Sequence, residues 1–393
     1  MAIICLRHFK RQLNTIDITL VNDQYSISKA IHLCKCPNIT NLFFKLNFQE
    51  TPNPLLIKIL RENLPKLKKL VQFSLWTYSH KEALKNLYDI IPQFEFLHSL
   101  TIPLYLDQER QVLYAMSLAE GLAKRKILVL NLILLGLEGV GLNFVEFFSN
   151  FPLLERFTIS LKSKLKSGKL NELGTALFQH QSLKELSVID KPNYQKDIPQ
   201  ILFKKCEGFL VKHTFTLECH GEYEPKITKI LSTELVCLTL ETRSFPNKAL
   251  DELWTHLMKM VYLRDFSLTI HADKMHNFDC AKIAYLIKNC INLRSISLTT
   301  NPFYPDEEQW SEICHSLKLS KINKLYLNCN FDRVTWSYSK CLKLLQSCYG
   351  MQNELIIGLR ITSNKPLSMD DNAFMSKITT NSAWRIRKDI DKE

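Results

Sequence analysis

The residues best suited to chemistry in this 393-residue chain are scattered histidines, cysteines, glycines and carboxylates, and their spacing decides what they can do together. Cys34-x-Cys36 resembles half of a zinc site, but no second pair follows at the distance such a site needs. His213, Cys219 and His220 surround one short apolar segment, and His271, His276 and Cys280 surround another further on. With those segments as strands two places apart in one sheet, His220 and His271 lie about 10 Å from each other. Zinc holds its ligands at about 2.0–2.3 Å, so no metal is expected. Gly136-x-x-Gly139-x-Gly141 is the one glycine cluster, and it lacks both the Gly-Lys-Ser/Thr ending and the dinucleotide spacing of a phosphate-cradling loop. It reads as a turn. Asp306-Glu307-Glu308 follows Pro305 and precedes Trp310 and Ile313, which is where carboxylates favour the first turn of a helix. Candidates for a Ser/His/Asp or Cys/His site fall in separate segments without a local signature. The expectation is a chain with no catalytic residues, no cofactor and no metal.

What positions any functional side chain here is a repeat. The pattern leucine-x-x-leucine-x-leucine returns thirteen times, seven of them cleanly, at Leu97/Leu100/Ile102, Ile127/Leu130/Leu132, Leu183/Leu186/Val188, Leu235/Leu238/Leu240, Leu263/Phe266/Leu268, Leu293/Ile296/Leu298 and Ile322/Leu325/Leu327. Looser copies stand at Leu13/Ile16/Ile18, Ile39/Leu42/Phe44, Leu70/Phe73/Leu75 and Leu154/Phe157/Ile159. Lys212/Phe215/Leu217 and Glu354/Ile357/Leu359 lack the first apolar anchor. The mean interval is about 28 residues, a repeat-architecture period. Within each copy the apolar residues alternate as on a strand, and the second half of the repeat switches to helical spacing. Ile283, Leu286, Ile287 and Cys290 share one helix face, as do Leu250, Leu253, Trp254 and Leu257, and likewise Leu118 and Leu122. Neither strand nor helix can bury its apolar side alone, so stacked neighbours must make the core.

These motifs resemble leucine-rich repeat proteins, specifically the long-repeat, ribonuclease-inhibitor-like class, over roughly residues 13–362. The resemblance implies an α/β right-handed solenoid, a horseshoe with a parallel concave sheet and convex helices. The expected organisation is a single domain over 1–393, with 1–12 as an N-terminal cap and 363–393 as a C-terminal cap and tail. The family's asparagine three residues after the last leucine is matched only by Asn47, Asn301 and Asn330, and the intervals range from 23 to 32 residues. Irregular repeats are therefore expected, with the copy at 212 the most prone to misassignment.

The residue between the last two leucines of each copy forms a column on the open side of the sheet. It reads Asp17, Phe43, Ser74, Thr101, Asn131, Thr158, then Ser187, Thr216, Thr239, Ser267, Ser297, Tyr326 and Gly358. Eight of the thirteen are Ser or Thr. That composition suits strands whose hydroxyls bond across to neighbours, and it also leaves a shallow polar trough against which a partner could lie. Trp76, Tyr78 and Tyr105 flank the trough near its N-terminal end, with Glu155/Arg156, Lys184/Glu185 and Arg264/Asp265 in the middle. Glu218, Glu241, Arg243 and His271 lie at strand exits. Trp, Tyr and Arg are the types that most often anchor interfaces. Trp76, Tyr78, Tyr105, Arg156, Glu218, Glu241, Arg243, Arg264, His271 and Tyr326 are accordingly the candidate partner-binding residues.

No stretch of about 18 uncharged apolar residues exists, so no membrane span is expected. Met1–Leu6 are apolar but precede Arg7, His8, Lys10 and Arg11, the reverse of the order in a secretory signal. The twelve cysteines lack the even, tight spacing of a disulfide framework, which favours reduced thiols in the cytoplasm or nucleus. A net charge of +12 can attract nucleic acid, acidic lipid or an acidic protein. The main local clusters are Lys162, Lys164, Lys166 and Lys169, read as one solvated loop, and Arg385, Arg387 and Lys388. No aromatic-interleaved basic motif supports nucleic acid, so the expected partner of this monomer is a protein.

By analogy with repeat folds, the expected role is non-catalytic protein–protein recognition on the concave face. A second reading is the substrate-recognition subunit of a ubiquitin ligase or a host-directed effector. Against the former, only about 12 residues precede the first motif, few for a helical adaptor-binding module. A reading from another class is a GTPase-activating protein, which one branch of the resembled family provides. That branch has regular repeats and an acidic tail, whereas residues 385–393 here include Arg385, Arg387, Lys388 and Lys392.

Overall fold

The computed structural model describes residues 11–33, 35–48, 53–77, 81–106, 108–136, 141–190, 198–204, 206, 208–219, 225–243, 245–270, 280–303, 306–330 and 356–362. These fall into two compact units, Met1–Gln195 and Lys196–Glu393. Each is a leucine-rich-repeat-type α/β solenoid in which strand and helix alternate along the chain.

In the first unit the strands are β1 (Thr15–Val21), β2 (Asn41–Asn47), β3 (Gln72–Thr77), β4 (Ser99–Tyr105), β5 (Val129–Leu135), β6 (Arg156–Leu161) and β7 (Glu185–Ile189). The connecting helices are α1 (Gln24–Leu33), α2 (Pro54–Asn63), α3 (Lys81–Tyr88), α4 (Glu109–Leu122), α5 (Phe144–Ser149) and α6 (Ser167–Phe178). Consecutive strands pair in parallel with the motif leucines in register, as in Leu130↔Phe157 and Phe157↔Leu186. Alternation sends one side chain in two under the helices: Ile16, Ile18 and Leu20 are buried while Thr15, Asp17 and Thr19 are exposed. The core between sheet and helices is rich in aromatic edges. Phe148 of α5 meets Phe157 of β6 at 90° with centroids 4.8 Å apart, an orientation that puts a positive ring edge on a negative face.

The second unit holds β8 (Thr214–Glu218), β9 (Cys237–Thr242), β10 (Asp265–Ile270), β11 (Ser295–Phe303), β12 (Lys324–Asn330) and β13 (Ile356–Thr362). Its helices are α7 (Ile198–Leu202), α8 (Asn247–Leu257), α9 (Cys280–Asn289) and α10 (Glu307–Leu319). The helical faces read from the sequence are the buried ones: Leu250, Leu253, Trp254 and Leu257 on α8, and Ile283, Leu286 and Ile287 on α9. Asp306 starts α10 with a capping box, its side chain accepting from Gln309 N at 2.8 Å while Gln309 Oε1 accepts from Asp306 N at 3.1 Å.

The doubtful copy at 212 is in register, with Phe215↔Leu238 and Leu217↔Leu240. Its anchor is displaced by one residue: Val211 is fully buried and bridges to Leu231, whereas Lys212 is exposed. The interval to the next copy is short because a 3-10 helix, Pro225–Ile230, stands where other repeats carry an α-helix.

Adjacent repeats are also laced by backbone. At the entrance to a strand, two successive N–H groups donate to a single carbonyl of the preceding repeat. Val71 O accepts from His98 N and Ser99 N, His98 O from Leu128 N and Val129 N, and Arg264 O from Arg294 N and Ser295 N. Among the described residues the arrangement recurs six times in the first unit and four in the second, at 2.7–3.2 Å. Gly136, just after β5, and Gly141, shortly before α5, have φ of 106° and 93°, left-handed values that glycine adopts without strain.

Candidate functional site

Parallel register builds the open face of each sheet from aligned columns. In the first unit Asp17, Phe43, Ser74, Thr101, Asn131, Thr158 and Ser187 follow one another across β1–β7. The column is only partly a trough. Ser74 and Thr101 are buried, and the Asn131 side-chain amide donates to Thr101 Oγ1 at 3.0 Å. The cross-strand hydroxyl bonding expected of such a column is thus real at this point.

Two residues further along the strands the face turns apolar. Trp76 of β3 is 39% exposed, and Pro103 of β4 pairs with Ile133 of β5, both buried. Tyr105, half-buried, lies opposite Leu135 at the strand ends, and burial raises its phenol above the ordinary tyrosine range. Tyr88 at the end of α3 donates its hydroxyl to the Pro103 carbonyl, satisfying that group from the helical side. Ion pairs stand elsewhere on the same face and at its entrance rim. Lys45 reaches Asp17 at 3.0 Å, Arg156 reaches Glu185 at 3.2 Å, and Lys184 reaches Glu155 at 2.8 Å. Each pair joins neighbouring repeats, and none was evident from residue types alone, because partners some 28 residues apart meet only once the register is fixed.

In the second unit the column Thr216, Thr239, Ser267, Ser297, Tyr326 and Gly358 is continuous across β8–β13. Thr216, Thr239, Ser267 and Ser297 are half-exposed, so this stretch is the more open polar surface. Glu218 and Glu241 are register partners, both half-buried, and place two carboxylates side by side at the exits of β8 and β9. Arg243 is exposed just beyond β9, and Tyr326 is half-exposed in the column.

Not every candidate joins these columns. Arg264 is exposed in the turn before β10, with the parity of the core residue Phe266, and so stands at the sheet's entrance rim. Tyr78 and His271 lie outside the described residues, as do His220 and His276. Among the described residues no group of three His, Cys, Asp or Glu side chains converges as metal ligands would. Lys169, read as part of a solvated loop, belongs to α6. There its ammonium is half-buried against Glu172 at 2.7 Å and the Leu142 carbonyl at 2.7 Å. Lys162, Lys164 and Lys166 are exposed.

Among the described residues no helix is long and apolar enough to cross a membrane. No family model matches the chain, and no curated protein does. Among solved structures it is similar to the "Crystal structure of TLR13-ssRNA13 complex", with 13% sequence identity and a TM-score of 0.36. That match covers 90% of this chain and 65% of the other, so the chain spans less than two thirds of its neighbour's length. A likeness this distant bears on neither ligand nor role, and the fold assignment rests on the strand register and the buried motif leucines.

Proposed function

We propose that the chain is a non-catalytic recognition scaffold that binds a protein partner on the open face of its sheet. The supporting observation is the first unit's face, where an exposed indole, Trp76 of β3, and a half-buried phenol, Tyr105 of the neighbouring β4, share the open side of the sheet with ion pairs that join adjacent repeats. An apolar centre with a polar rim is the usual anatomy of a protein interface. Arg156, Glu218, Glu241, Arg243 and Tyr326 are the further contacts in this reading, with Arg264 at the rim and Tyr78 and His271 completing the set. The finer assignments also belong to it: the ribonuclease-inhibitor-like class, one domain over 1–393, a monomer, and a cytoplasmic or nuclear setting.

The test is quantitative affinity capture from native cells with wild type and a Trp76→Ala/Tyr105→Ala variant, followed by binding constants for the captured protein. Loss of the same protein with the variant supports the reading. Equal capture by both overturns it, and stimulated GTP hydrolysis by a captured GTPase would replace it with the GTPase-activating role.

A further inference from the structure

Three successive helix-to-strand turns of the second unit, residues 257–264, 287–294 and 317–324, contain seven Lys or Arg and no Asp or Glu. Lys259 and Arg264 lie in the first, Lys288 and Arg294 in the second, and Lys318, Lys321 and Lys324 in the third. All are exposed except Arg294, which is half-exposed, and none pairs with a carboxylate among the described residues. Asp265, next to Arg264 in sequence, begins β10 on the open face, and Asp251 and Glu252 of α8 line a surface pocket with Lys259 without pairing to it. This contrasts with the first unit, where Lys45, Arg156 and Lys184 are each neutralised by a neighbouring repeat.

The same turns expose large apolar side chains. Val261 is 55% exposed, Ile291 66% and Leu319 59%, and Tyr262 stands beside Val261. The turns already bury an inner set, Met260, Leu263, Leu293 and Ile322, so the outer set is surplus to the core. They lie side by side. The Asn292 side-chain amide donates to Val261 O at 2.8 Å, Arg294 N to Arg264 O at 2.7 Å, and Arg294 Nη1 to Lys321 O at 3.2 Å. Val261 and Ile291 each stand four residues before their strands and Leu319 closes α10 five residues before β12, so exposed aliphatic side chains recur along this edge among unneutralised cations.

We propose that this turn edge docks on the surface of a bilayer containing anionic lipid, with the aliphatic side chains entering the acyl boundary and the cations meeting headgroups. The chemistry favours that occupant. Nucleic acid would use the cations but not Val261, Ile291 and Leu319, since phosphate contacts gain nothing from aliphatic groups. Protein interfaces are depleted in lysine, and five of these seven cations are lysines. An anionic membrane surface takes both features at once: basic residues are drawn by its negative potential, apolar side chains partition below the headgroups, and a tyrosine is at home between. The contact is peripheral.

The test is flotation of the full-length chain with vesicles of phosphatidylcholine alone or with phosphatidylserine added. Binding is expected only with phosphatidylserine and should weaken as salt rises. A Lys288→Glu/Lys318→Glu/Lys321→Glu variant should lose at least about 100-fold in partitioning, and Ile291→Ser/Leu319→Ser at least about fivefold. Hydrogen exchange should slow at 257–264, 287–294 and 317–324 when vesicles are added. Trp76→Ala/Tyr105→Ala should leave vesicle binding unchanged, which separates this surface from the recognition face. Absence of vesicle binding, or binding kept by both turn variants, overturns the proposal. So does tighter binding to single-stranded RNA or an acidic peptide that the lysine variant loses and the aliphatic variant keeps. Both turn variants should retain the wild-type circular dichroism, because Lys288, Ile291, Lys318, Leu319 and Lys321 are all exposed.

Discussion

The indole Nε1 of Trp76 donates to the hydroxyl of Ser74, two residues earlier on β3, at 3.0 Å. That bond holds the ring along the open face and closes Ser74 off from solvent. A fixed ring loses little conformational freedom on binding, which suits it to anchor a partner. Trp76→Ala with Tyr105→Ala should weaken partner binding by at least about 2 kcal/mol. Ser74→Ala alone should cost less, because it frees the ring without removing it. Isothermal titration with the captured protein checks both, and an unchanged double variant would falsify the anchor role.

The loop lysines should behave differently. Lys162, Lys164 and Lys166 are exposed. Reversal of all three to Glu should chiefly slow partner association and change its salt dependence, leaving the dissociation rate near wild type. Stopped-flow measurements at two ionic strengths separate these outcomes.

Core packing sets the stability of the second unit. Trp254 on α8 meets Phe266 on β10 at 74° with centroids 6.1 Å apart, and it is 2% exposed. Trp254→Ala removes a large buried side chain and should destabilise by about 3–5 kcal/mol. Asp306→Ala leaves the α10 capping box without its acceptor and should cost about 1 kcal/mol. Urea unfolding ranks the two.

Acid should loosen both units through buried imidazoles. His256 Nε2 donates to the Leu231 carbonyl at 2.7 Å, and burial holds His256 and His180 below the ordinary value of 6.5. The unfolded chain therefore takes up protons near that value while the folded imidazoles resist them. Their contribution to stability is fully present above pH 6.5 and is lost as pH falls through the depressed folded values. A His256→Gln variant should show a flatter decline of stability with acid. An identical slope in the variant would remove His256 as a cause.

Cys290 sits at the end of α9, buried against the Leu257 carbonyl, and burial pushes its thiol up to about 11. It should resist alkylation at pH 8 until the chain unfolds. Denaturing, non-reducing titration should then count nearly all twelve cysteines as thiols. Four or more paired would point to an oxidising compartment.

Periodicity made the fold legible because each motif position has a single physical demand. Phe157, Leu186 and Phe215 must all go under the helices, whichever apolar type each copy carries. The column on the open face followed from the same alternation. Alternation says which way a side chain points but not what lies above it, so the closure of Ser74 and Thr101 was hidden. Lys212 marked the copy correctly by spacing, yet the buried anchor is Val211, since a turn ahead of a strand can shift by one residue without disturbing the strand's register. Cross-repeat ion pairs and the basic turn edge depend on which loops become neighbours, and that is settled by stacking.

The backbone lacing between repeats has an evolutionary consequence. Its acceptors include residues as unlike as Thr40, Leu128, Glu155 and Arg294, because a carbonyl and two amides are common to almost every residue type. Mutation can rewrite the outward-facing residues of these turns freely, barred mainly from proline at either donor, which has no N–H to give. Descendants of one ancestor could keep this architecture long after their turns ceased to look alike, leaving the spacing of buried leucines as the surviving trace of common descent.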